Sequence, residues 1–259
     1  MCSSDLFEEG ERLRQEFGAE HVYDFTLGNP DVEPPEAFHA ALQQLANDPL
    51  PGMHRYMNNA GYPETRAAVA AKLTQDSGLA VTAEHVIMTC GAGGALNVVL
   101  KTILNPGEEV IILAPFFVEY KFYIDNHGGV PVEVWTNRET FRLDLAAIEA
   151  AITTKTRAII VNSPNNPTGV IYTAEELAAL GELVKRAQGR TGHQVYVISD
   201  EPYARISYDG AKVPNIFPLI ESSVMVTSHS KDLALPGERI GYLAVNPRMA
   251  TAMQIIEGA

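Results

Sequence analysis

The chain has 259 residues and is 46% hydrophobic, enough to bury a sizeable core in one large α/β unit or in two domains. A net charge of −13 excludes a broad basic footprint for nucleic acid and argues against adhesion to an anionic membrane surface. Two cysteines, Cys2 and Cys90, give no disulfide framework and point to a reducing, cytoplasmic compartment.

The first stretch, MCSSDLFEEGERLRQEFG, has no apolar run preceded by positive charge, so no signal peptide is expected. No apolar run approaches the ~18 residues of a membrane span. Residues 4–17 read as a polar helix with Leu6, Leu13 and Phe17 as sparse apolar contacts, and HVYDFTLGNPD (21–31) as a short strand running into the Gly28-Asn29-Pro30 turn. Pro35 opens a helix reaching about Ala46, and another helix begins near Pro63 after the polar loop HRYMNNAGY.

From residue 85 the pattern becomes regular. Strands are expected at 85–90, 109–114, 130–135, 157–162, 194–199, 223–227 and 240–245, with helices over 95–104, 116–126, 143–152 and 173–187, the last capped by Thr173. Alternating strands and helices predict an α/β fold: a mainly parallel seven-stranded sheet sandwiched by helices, with its site in the loops at the C-terminal strand ends. The final segment, PRMATAMQIIEGA, starts a helix and stops, which reads as a chain lacking a C-terminal portion that would pack on the first 50 residues.

Chemistry-bearing residues fall at those strand ends. Gly91-Ala92-Gly93-Gly94 sits between a strand and a helix, where small residues let backbone N–H groups close on an anion. The dinucleotide pattern G-x-G-x-x-G is not completed, because Leu96 occupies its last position, and a tight turn alone would explain the glycines equally well. Phe116 and Phe117 offer a ring for stacking or simply core. Ser163-Pro164-Asn165-Asn166-Pro167-Thr168-Gly169 is a rigid polar loop. Asp200 ends an apolar strand, where an unpaired carboxylate is costly, so a cationic partner is expected, with Lys231 opposite it. Lys231, just past VMVTSHS, is a candidate reactive amine: burial disfavours the charged form and lowers its pKa.

The motifs Asn166-Pro167-Thr168-Gly169, Asp200-Glu201-Pro202-Tyr203, Ser228-x-Ser230-Lys231 and Gly237-x-Arg239-x-Gly241-Tyr242 resemble those of the class I/II aminotransferases, pyridoxal-phosphate enzymes of the aspartate aminotransferase fold. The resemblance covers nearly all of the chain. It implies that Lys231 forms the Schiff base with the cofactor and shuttles the substrate proton, that Asp200 pairs with the ring nitrogen, and that Asn166 and Tyr203 hold the phenolic oxygen. Gly91, Ala92, Gly93, Ser228, Ser230 and Arg239 match the phosphate cup, Phe117 the ring stacked on the cofactor, with Phe116 as fallback. Gly28 and Asn166 match substrate-facing positions. Tyr56 resembles the tyrosine that reaches the neighbouring subunit's phosphate, which implies a homodimer with a shared active site. No metal ligands are implied.

By the same resemblance, residues 1–50 form an N-terminal arm and partial small domain, and 51–259 the cofactor-binding large domain. The arginine that clamps the substrate carboxylate is expected beyond the last residue. None of Arg186, Arg190, Arg205 and Arg248 stands in its motif, so this stretch alone is expected to transaminate poorly. The expected reaction moves an amino group between an L-amino acid and a 2-oxo acid in a ping-pong cycle. A carbon–sulfur lyase on the same fold is the rival enzyme, and a cofactor-binding regulatory module the rival outside catalysis. The latter is disfavoured because only about 20 residues, acidic in balance and with no helix-turn-helix pattern, precede the first expected strand.

Overall fold

The computed structural model describes residues 3–23 and 28–259. Two helices, α1 (Ser3–Phe17) and α2 (Glu36–Asn47), precede the regular part of the chain. Ala19–His21 forms a 3-10 turn where the strand of 21–31 was expected to begin, and residues 24–27 of that strand lie outside the described residues. Helix α3 (Pro63–Ser77) starts on a proline, whose missing N–H costs nothing in a first turn, and ends on left-handed Gly78.

The sheet comprises β1 (Val86–Cys90), β2 (Glu109–Ala114), β3 (Val130–Trp135), β4 (Thr156–Asn162), β5 (Tyr196–Asp200), β6 (Ser223–Ser228) and β7 (Ile240–Val245). Its seven strands run in the order β1-β7-β6-β5-β4-β2-β3. The β2–β3, β2–β4, β4–β5 and β5–β6 pairs are parallel, while β7 is antiparallel to both β1 and β6. The expected architecture is therefore borne out, with β7 as its one reversed strand.

Helices cover both faces, which is why the central strands read as continuous apolar runs rather than alternating ones. Successive side chains still point to opposite faces. Ile111, Ile159, Val161, Val197 and Met225 pack against Leu73 of α3, Ile148 of α6 (Leu145–Ala151) and Leu177, Leu180 and Val184 of α7 (Ala174–Thr191). Val110, Ile112, Ile160, Ile198, Val224 and Val226 pack against Leu96, Val99 and Leu100 of α4 (Gly91–Ile103), Tyr120 and Ile124 of α5 (Glu119–Asp125), and Ile255 of α8 (Ala252–Gly258). Thr173 caps α7 in a reciprocal box with Glu176.

Two boundaries differ from expectation where the site is built. The four-residue glycine segment is the first turn of α4 rather than a loop before it. Strand β5 includes Asp200, whose parity places it on the α4/α5 face with Ile198, whereas Glu201 turns the other way.

Candidate active site

Strands β4, β5 and β6 finish at one edge, and the reversal at β7 brings the end of β1 to the same edge. Asn162 pairs with Asp200 and Asp200 with Val226; Ser228 and Thr89 both pair with Gly241. A Cβ on Gly241 would lie 2.5 Å from the carbonyl oxygen of Thr227 and 2.6 Å from the carbonyl carbon of Gly91. Only a residue without a side chain lets these three backbones converge. That convergence sets the first turn of α4, which opens on left-handed Gly91 (φ 75°), beside the end of β6.

Asp200 is buried at the centre of this edge. Tyr120 donates its hydroxyl proton to Asp200 Oδ2 at 2.6 Å, and Oδ1 is the one buried side-chain polar atom without a partner among the described residues. The cationic partner expected from the sequence is not there: no Lys, Arg or His among the described residues forms an ion pair with Asp200. The neutral donor Tyr120 takes that place. Burial pushes the Asp200 carboxyl up to about 6, with the Tyr120 bond pulling the other way.

Lys231 lies in the loop after β6. Its ammonium donates to the carbonyl of Gly28, which brings the Gly28 loop against it. Burial lowers the Lys231 pKa below that of an ordinary lysine. Arg239 is held in a left-handed conformation (φ 53°), donates to the Pro236 carbonyl at 3.1 Å, and stands over Gly91: a Cβ there would be 3.0 Å from its Nη2. Ser228 is buried at the end of β6 and Ser230 is half-buried one turn on. A guanidinium beside the N-terminus of α4 is an arrangement suited to an anion.

Asn162 donates to the carbonyl of Asp200 at 2.9 Å, and its Oδ1 accepts from the Asn166 N–H at 2.6 Å. Asn166 Nδ2 in turn approaches the Tyr203 hydroxyl at 3.5 Å. Phe117 packs edge-on against Tyr120, ring centroids 5.6 Å apart, while Phe116 faces the ammonium of Lys121 at 5.4 Å. Phe117, the first choice from the sequence, is thus the ring joined to the Asp200 cluster.

Tyr56 is fully exposed, away from these groups within its own chain. The four arginines weighed as carboxylate clamps are engaged elsewhere: Arg186 and Arg190 with Glu149, Arg205 with Asp232, and Arg248 with the carbonyls of Phe217 and Pro218. Sequence reasoning missed Tyr120, Asn162 and Tyr123, whose hydroxyl lies 2.9 Å from where a Gly93 Cβ would be. A signal existed for Tyr120: a tyrosine within an apolar helical stripe must find a partner for its hydroxyl.

These groups fit pyridoxal phosphate. The unpartnered, buried Oδ1 of Asp200 is an acceptor for a ring N–H, Lys231 is an amine of lowered proton affinity, and Arg239 with the α4 turn suits a phosphate.

Residues 20–259 match the family model described as aminotransferase class I and II. The chain is 42% identical over 219 residues to a probable aspartate/prephenate aminotransferase of Thermus aquaticus, covering 84% of this chain and 55% of that protein. It is 36% identical over 222 residues to the aspartate aminotransferase of Geobacillus stearothermophilus, covering 84% and 54%. The crystal structure of an aminotransferase from Eubacterium rectale superposes with a TM-score of 0.94 at 35% identity, over 100% of this chain and 65% of that one. The Thermus thermophilus aspartate aminotransferase with maleate gives 0.84 at 34%, over 100% and 63%. The chain thus spans a little over half the length of the curated relatives it matches. Over that span the matched fold runs through every strand end that carries the site, and the chain belongs to the class I and II aminotransferases.

Proposed function

We propose that this chain holds pyridoxal phosphate, the cofactor on which its family depends, and moves an amino group between an L-amino acid and a 2-oxo acid. The observation that carries this reading is Asp200: a carboxylate buried without a cation, with one oxygen bonded to Tyr120 and the other unpartnered. Such an atom is costly unless a donor arrives.

In this reading residues 51–259 form the cofactor-holding unit and 1–50 an arm belonging to the small domain. Asp200 Oδ1 accepts from the ring nitrogen, Asn166 and Tyr203 hold the phenolic oxygen, and Phe117 covers one face. The first turn of α4 (Gly91, Ala92, Gly93), Ser228, Ser230 and Arg239 hold the phosphate. When bound, the cofactor supplies an electron sink for the substrate α-carbon. Lys231 Nζ provides covalent attachment and, once released, takes and returns the α-proton in a ping-pong cycle; its lowered pKa favours the neutral amine this needs. The Lys231–Gly28 contact supports a substrate-facing role for the Gly28 loop.

Relatives named as aspartate and aspartate/prephenate aminotransferases favour amino transfer over a carbon–sulfur lyase, and aspartate as the first donor to test. Exposed Tyr56 suits the contact with a second subunit in a cytoplasmic homodimer.

The test is borohydride reduction of the protein loaded with pyridoxal phosphate, followed by peptide mapping. Modification is expected at Lys231 and lost in Lys231→Ala; modification at another lysine sinks the assignment. Glutamate formed from 2-oxoglutarate and aspartate marks a transferase, whereas pyruvate and ammonia released without an acceptor mark a lyase.

A further inference from the structure

Tyr120 has no part in the family motifs that point to the site, yet it is the only group that bonds the Asp200 side chain among the described residues. Helix α5 delivers it from the face that carries Ile198 and Val226, and it is 2% exposed. Its ring is fixed on one side by the edge-on contact with Phe117 and within the apolar cluster of Leu96, Leu100 and Ile124. The hydroxyl therefore has one address.

We infer that Tyr120 is a positioning residue for Asp200: by donating to Oδ2 it fixes the carboxylate plane and leaves Oδ1 as the sole acceptor for the ring nitrogen of the cofactor. This rests on the reading of the site as one for pyridoxal phosphate.

The chemistry behind it is one-directional. A phenol orients a carboxylate only while it keeps its proton, and burial, reinforced by the Asp200 charge, holds the Tyr120 pKa well above that of an ordinary tyrosine. Tyr120 thus stays a donor throughout the pH range of a cell. An ionised carboxylate has two equivalent oxygens, each able to turn toward an incoming N–H. With Oδ2 occupied, rotation about the Asp200 side chain breaks a charge-assisted bond of 2.6 Å, so the remaining oxygen is presented in one orientation before the cofactor arrives. The same bond opposes the burial that would otherwise protonate Asp200, and a protonated Asp200 is a poorer partner for a ring N–H. The other titratable groups around this carboxyl are Tyr123 on α5 and Tyr203 and Glu201 after β5, and none of them bonds it.

The experiment is a double-mutant cycle read by cofactor affinity rather than turnover. Pyridoxal phosphate is titrated into the cofactor-free wild type, Tyr120→Phe, Asp200→Asn and the double variant. Phenylalanine keeps the ring and its contact with Phe117, so packing is conserved. Tyr120→Phe is expected to weaken binding about tenfold in the wild-type background and less than twofold when Asp200 is already asparagine. Equal losses in both backgrounds, or no loss in either, overturn the inference. A carboxyl NMR titration of the cofactor-free protein is the second measurement, with Asp200 expected to titrate at higher pH in Tyr120→Phe; an unchanged titration overturns it too. A wild type that takes up no pyridoxal phosphate removes the underlying reading itself, an outcome distinct from a wild type that binds while the cycle shows no coupling.

Discussion

Asn162 and Asp200 face each other across β4 and β5, and the side-chain amide of Asn162 donates to the main-chain carbonyl of Asp200 at 2.9 Å. The other end of the same amide accepts from the Asn166 N–H at 2.6 Å. One buried side chain therefore ties the rigid polar loop after β4 to the strand end that carries the carboxylate.

Replacing it strands the buried Asp200 carbonyl and the part-buried Asn166 N–H. Asn162→Ala is expected to lower stability by about 2–4 kcal/mol, since an orphaned buried partner costs roughly 1–3 kcal/mol and the part-buried Asn166 N–H regains some hydration. Urea unfolding at pH 7 checks the figure, and pyridoxal phosphate affinity should fall in parallel because Asn166 loses its anchor.

Gly241 makes a sharper steric prediction. The atoms a methyl would strike belong to the backbones of Thr227 and Gly91, which have no rotamer to yield. Gly241→Ala should therefore cost more than ~3 kcal/mol or abolish soluble expression. Gly237→Ala, with nothing within 4 Å of the added carbon, is the control and should stay within about 0.5 kcal/mol of wild type.

The pH dependence of stability follows from two buried carboxyls. Burial raises Asp200 to about 6 and Glu201 to about 7, the latter despite its bond from Ser199. Between the ordinary carboxylate pKa and these values the folded chain holds protons that the unfolded chain has released. Stability is thus fully present below the ordinary pKa and is lost as pH rises through the folded values, by on the order of 3 kcal/mol for each group at about 1.4 kcal/mol per pKa unit. Urea midpoints of the cofactor-free protein should fall from pH 5 to pH 8. The Asp200→Asn, Glu201→Gln double variant should flatten that slope, and an unaltered slope would falsify the assignment.

In the proposed site Arg239 serves the phosphate and not the ring. Lysine keeps the charge but loses the planar fork, so Arg239→Lys should weaken pyridoxal phosphate binding by about tenfold. Binding of pyridoxal, which lacks the phosphate, should be unchanged. Equal losses for the two ligands would place Arg239 in the scaffold instead.

Much of this was legible in the sequence because the responsible physics is local. Short apolar runs and the helix–strand alternation located the seven strands, and Lys231, Asp200, Asn166 and Arg239 stand at or beside strand ends, where their motifs put them. What escaped was set by distance in space. The donor to Asp200 comes from 80 residues earlier in the chain, and hydrophobic patterning marks Tyr120 only as core. Among the described residues no charged side chain meets the carboxylate: a neutral phenol bonds one oxygen and leaves the other unpartnered. The start of α4 differs from expectation because glycine is a poor helix former, while in the fold that turn packs against Gly241 from a distant strand.

The reversed strand β7 bears on how the protein is made. Among the described residues strand β1 has β7 as its only sheet neighbour, and β7 emerges from the ribosome about 150 residues after β1. At roughly 5–20 residues per second, Val86–Cys90 waits about 8 to 30 seconds with an open edge, and the glycine turn that follows it lacks its contact with Gly241 in that interval. Newly made chains are therefore most exposed to chaperones and to off-pathway pairing through the strand that leads into their anion site.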